Sequence, residues 1–303
     1  MYSVCGKKGI EMISIITPTY NRAGYLTRLK NSLMQQTCDK FEWIIVDDGS
    51  EDNTKEIIEG WGGISIPYIY LYKENGGKHT AINYAMPYVN GDFVFFVDSD
   101  DYLTEDAIEK ITKWTKDIQN NKKIAGVSGT KGYGKEALIG EYPQKEEEYI
   151  ECSNLDRRKK HLTGDKAEVY KTEILRKYPF PVFEGERFLT ESVVWNSIAR
   201  DGYVLRWYGD IIYICEYLEN GLTNNGSKLK MNNFKGYTYS VSINVSCLKG
   251  KEKYAQLIGY MSILSIKYGK CHRLRRYLPQ LRLYEIFFAH LFYKIWQLKH
   301  KLL

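Results

Sequence analysis

The sequence predicts an α/β fold in which a mainly parallel sheet is flanked by helices. Three observations point to it. Short β-branched or aromatic runs alternate with helix-spaced stretches through the first hundred residues, which implies βαβ units. Those runs read as buried strands. Three polar clusters, Thr17-Pro18-Thr19-Tyr20, Asp47-Asp48 and Asp98-Ser99-Asp100, fall where strands end. Sheets of this kind bind ligands beyond the carboxyl ends of their strands.

The elements follow in order. Met12 to Thr17 is an apolar, β-branched run closed by Pro18, so a strand is expected. Tyr25, Leu26, Leu29, Leu33 and Met34 give helical spacing over Ala23 to Gln36. Phe41 to Val46 is the next strand, Thr54 to Trp61 a short helix, and Tyr68 to Tyr72 a third strand. Asn75-Gly76-Gly77 signals a turn before a helix over Lys78 to Val89. Phe93 to Val97 is the fourth strand, with a helix starting near Thr104. The middle is less regular. Gly126 to Gly140 reads as a Gly-rich stretch and Glu146-Glu147-Glu148 as a solvated face. Lys166 to Tyr170 reads as a short strand, Pro179 to Phe183 as an extended loop, and Thr190 to Arg200 as a helix. Tyr203 to Tyr208 and Ile211 to Cys215 read as two further strands.

The bulk properties bound the function. A chain of 303 residues makes one large or two small domains and buries its core without staples. The six cysteines are scattered without zinc-type spacing, so they read as reduced thiols in a reducing compartment. There is no signal-peptide pattern and no apolar run of membrane-spanning length. A cytoplasmic protein is expected, with residues 1–11 as an appendage and Met12 as a second potential start. From Thr223 onward fifteen Lys and Arg face two Glu, a net +13, whereas the whole chain carries +6. The first 222 residues are therefore acidic and the tail is basic, which suggests an anionic partner for the tail.

Asp98, Asp100 and Asp101 place clustered carboxylates at a sheet edge. Close carboxylates raise one another's pKa unless a cation relieves them. Mg²⁺ typically takes one or two protein carboxylates and completes its shell with water and phosphate oxygens. The competing reading is that Asp100 and Asp101 cap the following helix.

Ile15 to Arg22 (IITPTYNR), Trp43 to Ser50 (WIIVDDGS) and Val97 to Asp101 (VDSDD) occur in this order. With these motifs the chain resembles bacterial family 2 glycosyltransferases over roughly residues 12–220. The resemblance implies a GT-A (Rossmann-like) fold and inverting transfer from a nucleotide sugar, usually a UDP-sugar. By position, Thr17, Pro18 and Tyr20 would surround the uracil, and Asp48, with Asp47 beside it, would accept a hydrogen bond from the base. Lys78 would contact the nucleotide, Asp98 would face the ribose with Ser99 beside it, and Asp100 would ligate Mn²⁺ or Mg²⁺. Arg22 would stabilise the donor phosphates or cap a helix. The family's base often lies in a Glu-Asp pair heading a helix. Here Glu191 fits that place, while Ser192 replaces the Asp. Asp165 is the second acid considered for the acceptor side. Trp195 is either a sugar-stacking ring or a core residue.

The implied organisation is a catalytic domain over 12–222, with a nucleotide half to about 101 and an acceptor half beyond it. A basic, mainly helical region follows over 223–303. In that region Leu281, Tyr284, Phe288, Leu291, Ile295, Leu298 and Leu302 form an apolar stripe, which Phe287, Phe292 and Trp296 widen. Arg282, Lys294, Lys299 and Lys301 are basic, and His272 to Arg276 adds a cluster. Such a helix suits an anionic membrane surface. It equally suits docking on the catalytic domain or on a second copy of the chain. A nucleic-acid partner is not expected, because no recognised motif accompanies the charge. The expected function is transfer from a UDP-sugar to a hydroxyl of a glycan or lipid-linked saccharide in bacterial surface-polysaccharide synthesis. The alternatives are a polyprenyl-phosphate glycosyl synthase and a non-catalytic nucleotide-sugar binding or scaffold protein.

Overall fold

The computed structural model describes residues 12–143, 147–216, 226–269 and 274–301. The expected domain boundary at 222–223 and the His272–Arg273 part of the basic cluster lie outside the described residues.

The nucleotide half is a run of βαβ units, as the sequence predicts. Strands β1 (Ile13–Thr19), β2 (Phe41–Asp47), β3 (Tyr68–Tyr72) and β4 (Phe93–Phe96) pair in parallel in the order β3-β2-β1-β4. Helices α1 (Ala23–Met34), α2 (Thr54–Glu59) and α3 (Lys78–Ala85) connect them. Strands β1, β2 and β4 are apolar on both faces because both are covered, while the edge strand β3 leaves Ile69 and Tyr72 exposed. Ile15, Trp43 and Phe95 face one core with Leu26 and Leu29 of α1, while Ile16, Ile44 and Val94 face the other with Ala81 and Ile82 of α3. The helix expected over Lys78 to Val89 ends sooner, because Pro87 lies in a 3₁₀ turn at Met86–Tyr88.

The second half keeps the same sheet but mixes its directions. It contains β5 (Tyr102–Leu103), α4 (Ala107–Lys116), β6 (Ile124–Gly132), β7 (Tyr149–Cys152), β8 (Lys166–Lys171), α5 (Thr172–Leu175), α6 (Ser192–Arg200) and β9 (Val204–Ile214). The order continues β4-β8-β6-β9-β5, with β7 also on β9. Strand β8 runs antiparallel to both neighbours, and β6 runs parallel to β9.

Two expectations need correction here. The Gly-rich stretch after Gly126 begins as strand β6, not as a loop. Its glycines let other chain segments approach: a Cβ on Gly126 would lie 2.0 Å from the Val169 carbonyl oxygen. The two strands expected over Tyr203 to Cys215 are one continuous strand. The Gly209-Asp210 interruption is absorbed by register shifts against β6, between Ser128 and Lys131.

The C-terminal region is helical: α7 (Gly226–Asn232), α8 (Phe234–Cys247), α9 (Gly250–Tyr268), α10 (Leu274–Tyr277) and α11 (Leu283–Lys301). Phe234, Val241, Leu257, Tyr260 and Leu264 give it a core of its own, and α8 packs on α6 of the α/β unit. Ala289 and Tyr293 turn α11 inward. Of the predicted apolar stripe, Leu281 is buried and Leu302 lies outside the described residues, while Tyr284, Phe288, Leu291, Ile295 and Leu298 are exposed.

Candidate active site

The parallel strands carry their polar clusters to one rim. After β1, Tyr20 is 42% exposed. Asn21 follows in the left-handed region at φ 51°, where its side chain accepts from Glu51 N (2.8 Å) and its N–H donates to Ser50 Oγ (2.9 Å). These two bonds clasp the loop after β1 to the loop after β2.

Asp48 is buried beneath this rim. Its Oδ1 accepts from Lys73 Nζ (2.6 Å) and Gly76 N (3.0 Å), and its Oδ2 accepts from Gly77 N (2.7 Å). It therefore organises the turn that starts α3, a role the sequence does not announce. Gly77 at φ 93° is required there, since a Cβ would lie 1.8 Å from the Arg187 carbonyl oxygen. Lys73 sits just past the end of β3, so the strand-end rule that singles out the other clusters would have found it too.

Two expected base-pocket residues are withdrawn from the rim. Thr17 is fully buried and its hydroxyl accepts from the Trp43 indole N–H (2.9 Å). Asp47 is 1% exposed, with one oxygen bonded to Ser50 N (2.7 Å) and the other to the Tyr70 hydroxyl (2.8 Å). Strand alternation turns both side chains into the sheet. Pro18 is also buried, which leaves Tyr20 as the exposed member of the group.

After β4, Asp98 and Asp100 stand half-buried. Lys78, in the first turn of α3, places its ammonium 2.5 Å from Asp98 Oδ1 and 2.6 Å from Glu191 Oε1. Burial alone would lower the Lys78 pKa, but these two carboxylates outweigh it and raise it. Burial likewise opposes ionisation of Asp98, and Lys78 and Lys131 reverse this to lower its pKa. Asp100 shifts the other way, raised by burial and by the Asp98 charge, with Arg22 Nε 3.6 Å away as partial relief. Asp101 is pushed up to about 6, again by burial and then by Asp98. Ser99 is buried between them. The hydroxyl of Tyr213 on β9 accepts from Asp98 N (2.9 Å) and so fixes the strand end against the second half of the sheet.

Glu191 occupies the cap position of α6, as expected. It lines a cavity of about 270 Å³ together with Lys78, Asp98, Asp165 and Ser192. The structure thus brings Lys78, Asp98, Asp165 and Glu191 to one chamber. Trp195 also borders it but is 8% exposed, stacked on Tyr170 (4.3 Å) and Phe96 (5.7 Å) with Phe180 edge-on. These neighbours pack its ring as they would that of a core residue. Sequence reasoning missed Lys131, Arg157, Lys166 and Glu168, which line the same chamber.

The fit to a divalent cation rests on Asp100 and Asp98. Among the described residues no group of three His, Cys, Asp or Glu converges on one point. A hard cation that keeps water and substrate phosphate oxygens needs only one or two carboxylates. Asp100, partly open and disfavoured as an anion by burial and Asp98, fits that requirement.

With this geometry in place, the comparisons are specific. The sequence pattern of Glycosyl transferase family 2 matches residues 14–178. The chain belongs to this family. The poly(ribitol-phosphate) beta-N-acetylglucosaminyltransferase TarS of Staphylococcus aureus is 34% identical over 124 residues, which is 40% of this chain and 22% of TarS. The putative teichuronic acid biosynthesis glycosyltransferase TuaG of Bacillus subtilis is 39% identical over 101 residues, 33% of this chain and 40% of TuaG. The matches thus take in well under two thirds of these relatives. Among solved structures, TarS residues 1–349 in complex with UDP-GlcNAc aligns with TM-score 0.59 at 18% identity, covering 90% of this chain and 77% of that one. The mannosyltransferase PcManGT of Pyrobaculum calidifontis, in complex with GDP-Man and Mn²⁺, aligns with TM-score 0.55 at 17% identity, covering 90% and 73%. At such identities these likenesses speak for the GT-A fold.

Proposed function

We propose that this chain transfers a sugar from a UDP-sugar to a hydroxyl of a glycan or lipid-linked acceptor, with inversion, in bacterial surface-polysaccharide synthesis. The observation that carries this reading is Lys78, whose ammonium bridges the donor-side Asp98 and the helix-capping Glu191 across one chamber. The names of TarS and TuaG support the substrate class, and the TarS complex with UDP-GlcNAc supports the donor.

Tyr20 offers an exposed ring face to the uracil. Among the described residues Asp48 Oδ2 takes a single hydrogen bond, which leaves a lone pair for the base imide. Lys78 holds Glu191 in place at the acceptor side. The acceptor oxygen attacks the anomeric carbon and its proton passes to a Glu191 carboxylate oxygen. The bond from the anomeric carbon to the β-phosphate oxygen breaks, and UDP leaves with the electron pair. A Mn²⁺ or Mg²⁺ held by Asp100 beside Asp98 would offset the charge that gathers on the diphosphate.

Titration of UDP-GlcNAc and UDP-glucose with and without Mn²⁺ tests this donor site. Metal should tighten binding at least tenfold, and Asp100→Ala should abolish that gain. Metal-independent binding in both proteins would remove Asp100 from the ligand role.

The C-terminal region points to a peripheral place on the inner face of the cell membrane. Among the described residues no helix is long and apolar enough to cross a membrane. The exposed Leu283, Phe287, Leu291 and Leu298 nevertheless share an arc of roughly 140° on α11 with Tyr284, Phe288 and Ile295. The one acid on this helix, Glu285, is buried against Lys253 (2.5 Å), while Lys294 and Lys299 are exposed. Pairing with a second copy through this face would set like charges against each other, whereas anionic lipid would not. Vesicles containing phosphatidylglycerol should sediment the protein, and Phe287→Glu with Leu291→Glu should release it. Sedimentation equal to that with neutral vesicles, or dimerisation lost on the same substitutions, would favour the protein-docking role.

A further inference from the structure

The active-site chamber also holds cations that no carboxylate of the described residues touches. Lys131, Arg157 and Lys166 all line it. None has a carboxylate oxygen within 4.0 Å among the described residues, whereas Lys78, which lines the same chamber, has two. Arg157 lies in a 3₁₀ turn (Arg157–Lys160), and its Nη1 is buried with no hydrogen-bond partner among the described residues. A guanidinium has five donors in a fixed fork suited to carboxylate or phosphate, so an idle buried donor is costly. Lys166 is 3% exposed, and among the described residues its ammonium reaches only the carbonyl oxygens of Ile139 and Thr163. Burial, and then the Arg157 charge, push its pKa down to about 8, as expected of a cation short of counter-charge. Lys131 rests over the Tyr213 ring at 4.0 Å. Glu168, which also lines the chamber, is raised by burial toward its neutral form.

Arg157 also lines a second cleft, which leads away from Ser192 between α6 and the helical region. Asn154, Asn196 and Asn244 form a ladder of amides along it, with Nδ2–Oδ1 distances of 2.6 and 2.8 Å. Arg158 and Lys251 stand on its rim. Amide groups of this kind match sugar hydroxyls, and the cations match charge on the same molecule.

Building on the glycosyltransferase reading, we propose that Arg157, with Lys166 and Lys131, forms an anion subsite that receives a carboxylate or phosphate carried by one of the two substrates. The shared chemistry has two sources, a uronic acid in the donor or an acidic unit in the acceptor chain.

The test uses the full chain and two arms. In the first, UDP-glucuronate and UDP-glucose are titrated against wild type, Arg157→Gln and Arg157→Lys. In the second, free glucuronate, glycerol phosphate and glucose are titrated with and without saturating UDP. At least tenfold tighter binding of the charged member in either arm is expected, lost in Arg157→Gln and largely kept in Arg157→Lys. A preference in the first arm assigns the charge to the donor sugar, and one in the second to the acceptor. The proposal is overturned if neither arm prefers the anion, or if the preference survives Arg157→Gln. UDP affinity itself should match in all three proteins and reads the donor site separately, so absence of UDP binding would count against the glycosyltransferase reading alone. Thermal melting confirms that each variant is folded.

Discussion

Glu191→Gln lowers kcat by about 10³-fold, the scale of a lost general base, while UDP-sugar affinity stays within about twofold. The side chain keeps its length and can still face Lys78, but amide oxygen takes a proton far less readily than carboxylate. The split between kcat and donor binding is what a purely structural role would not produce. A cap residue that only shaped α6 would change stability and leave the chemical step alone. A near-normal rate would instead favour a lipid phosphate as acceptor, because a phosphate is already ionised and needs no base. Single-turnover assays beside donor titration measure both quantities on one preparation.

Asp48→Ala should cost about 3–5 kcal/mol of folding stability, the range found when one partner of a buried ion pair is removed. The Asp48 side chain is 5% exposed and that of Lys73 is 17% exposed, so solvent screens the pair little. Removing the carboxylate strands the Lys73 ammonium and the N–H groups of Gly76 and Gly77 together. Urea denaturation reads the loss as a lower midpoint at unchanged slope. The exposed pair Lys55–Glu59, at 3.8 Å, serves as the contrast: Lys55→Ala should change stability by less than about 0.5 kcal/mol. Donor binding should fall with Asp48→Ala as well, because the turn that presents Lys78 begins at Gly77. A loss below about 1 kcal/mol would show that the turn holds without its carboxylate.

The nucleotide half is legible in the sequence because its signals are local. Strands β1, β2 and β4 are short, apolar and ended by Pro or Asp, so the clusters at Tyr20, Asp48 and Asp98 can be placed without long-range knowledge. What misleads is side-chain direction at the strand ends. Thr17 and Asp47 sit in the right motifs but point into the sheet, toward Trp43 and Tyr70. The second half is harder, because its strands contain glycines that pack against backbone instead of making turns. Gly126 exists for Val169, 43 positions later, and no window of sequence contains both. The chamber's cations are hidden for the same reason. Lys131 comes from β6, Arg157 from a turn and Lys166 from β8, three segments far apart in sequence, of which the antiparallel pairing of β6 with β8 brings the two lysines near each other. Glu191 is found through the family pattern, and the fold then supplies what the pattern lacks, a partner for it in Lys78.

Lys78 is a single positive charge divided between Asp98 and Glu191, which in the proposed reaction serve the donor and the acceptor respectively. Anything that satisfies Asp98 from the donor side leaves the ammonium freer to turn toward Glu191. Anything that engages Glu191 from the acceptor side does the reverse. In the proposed reaction the donor and acceptor sites are thereby coupled through one flexible side chain. By thermodynamic reciprocity the help or hindrance each gives the other must be equal.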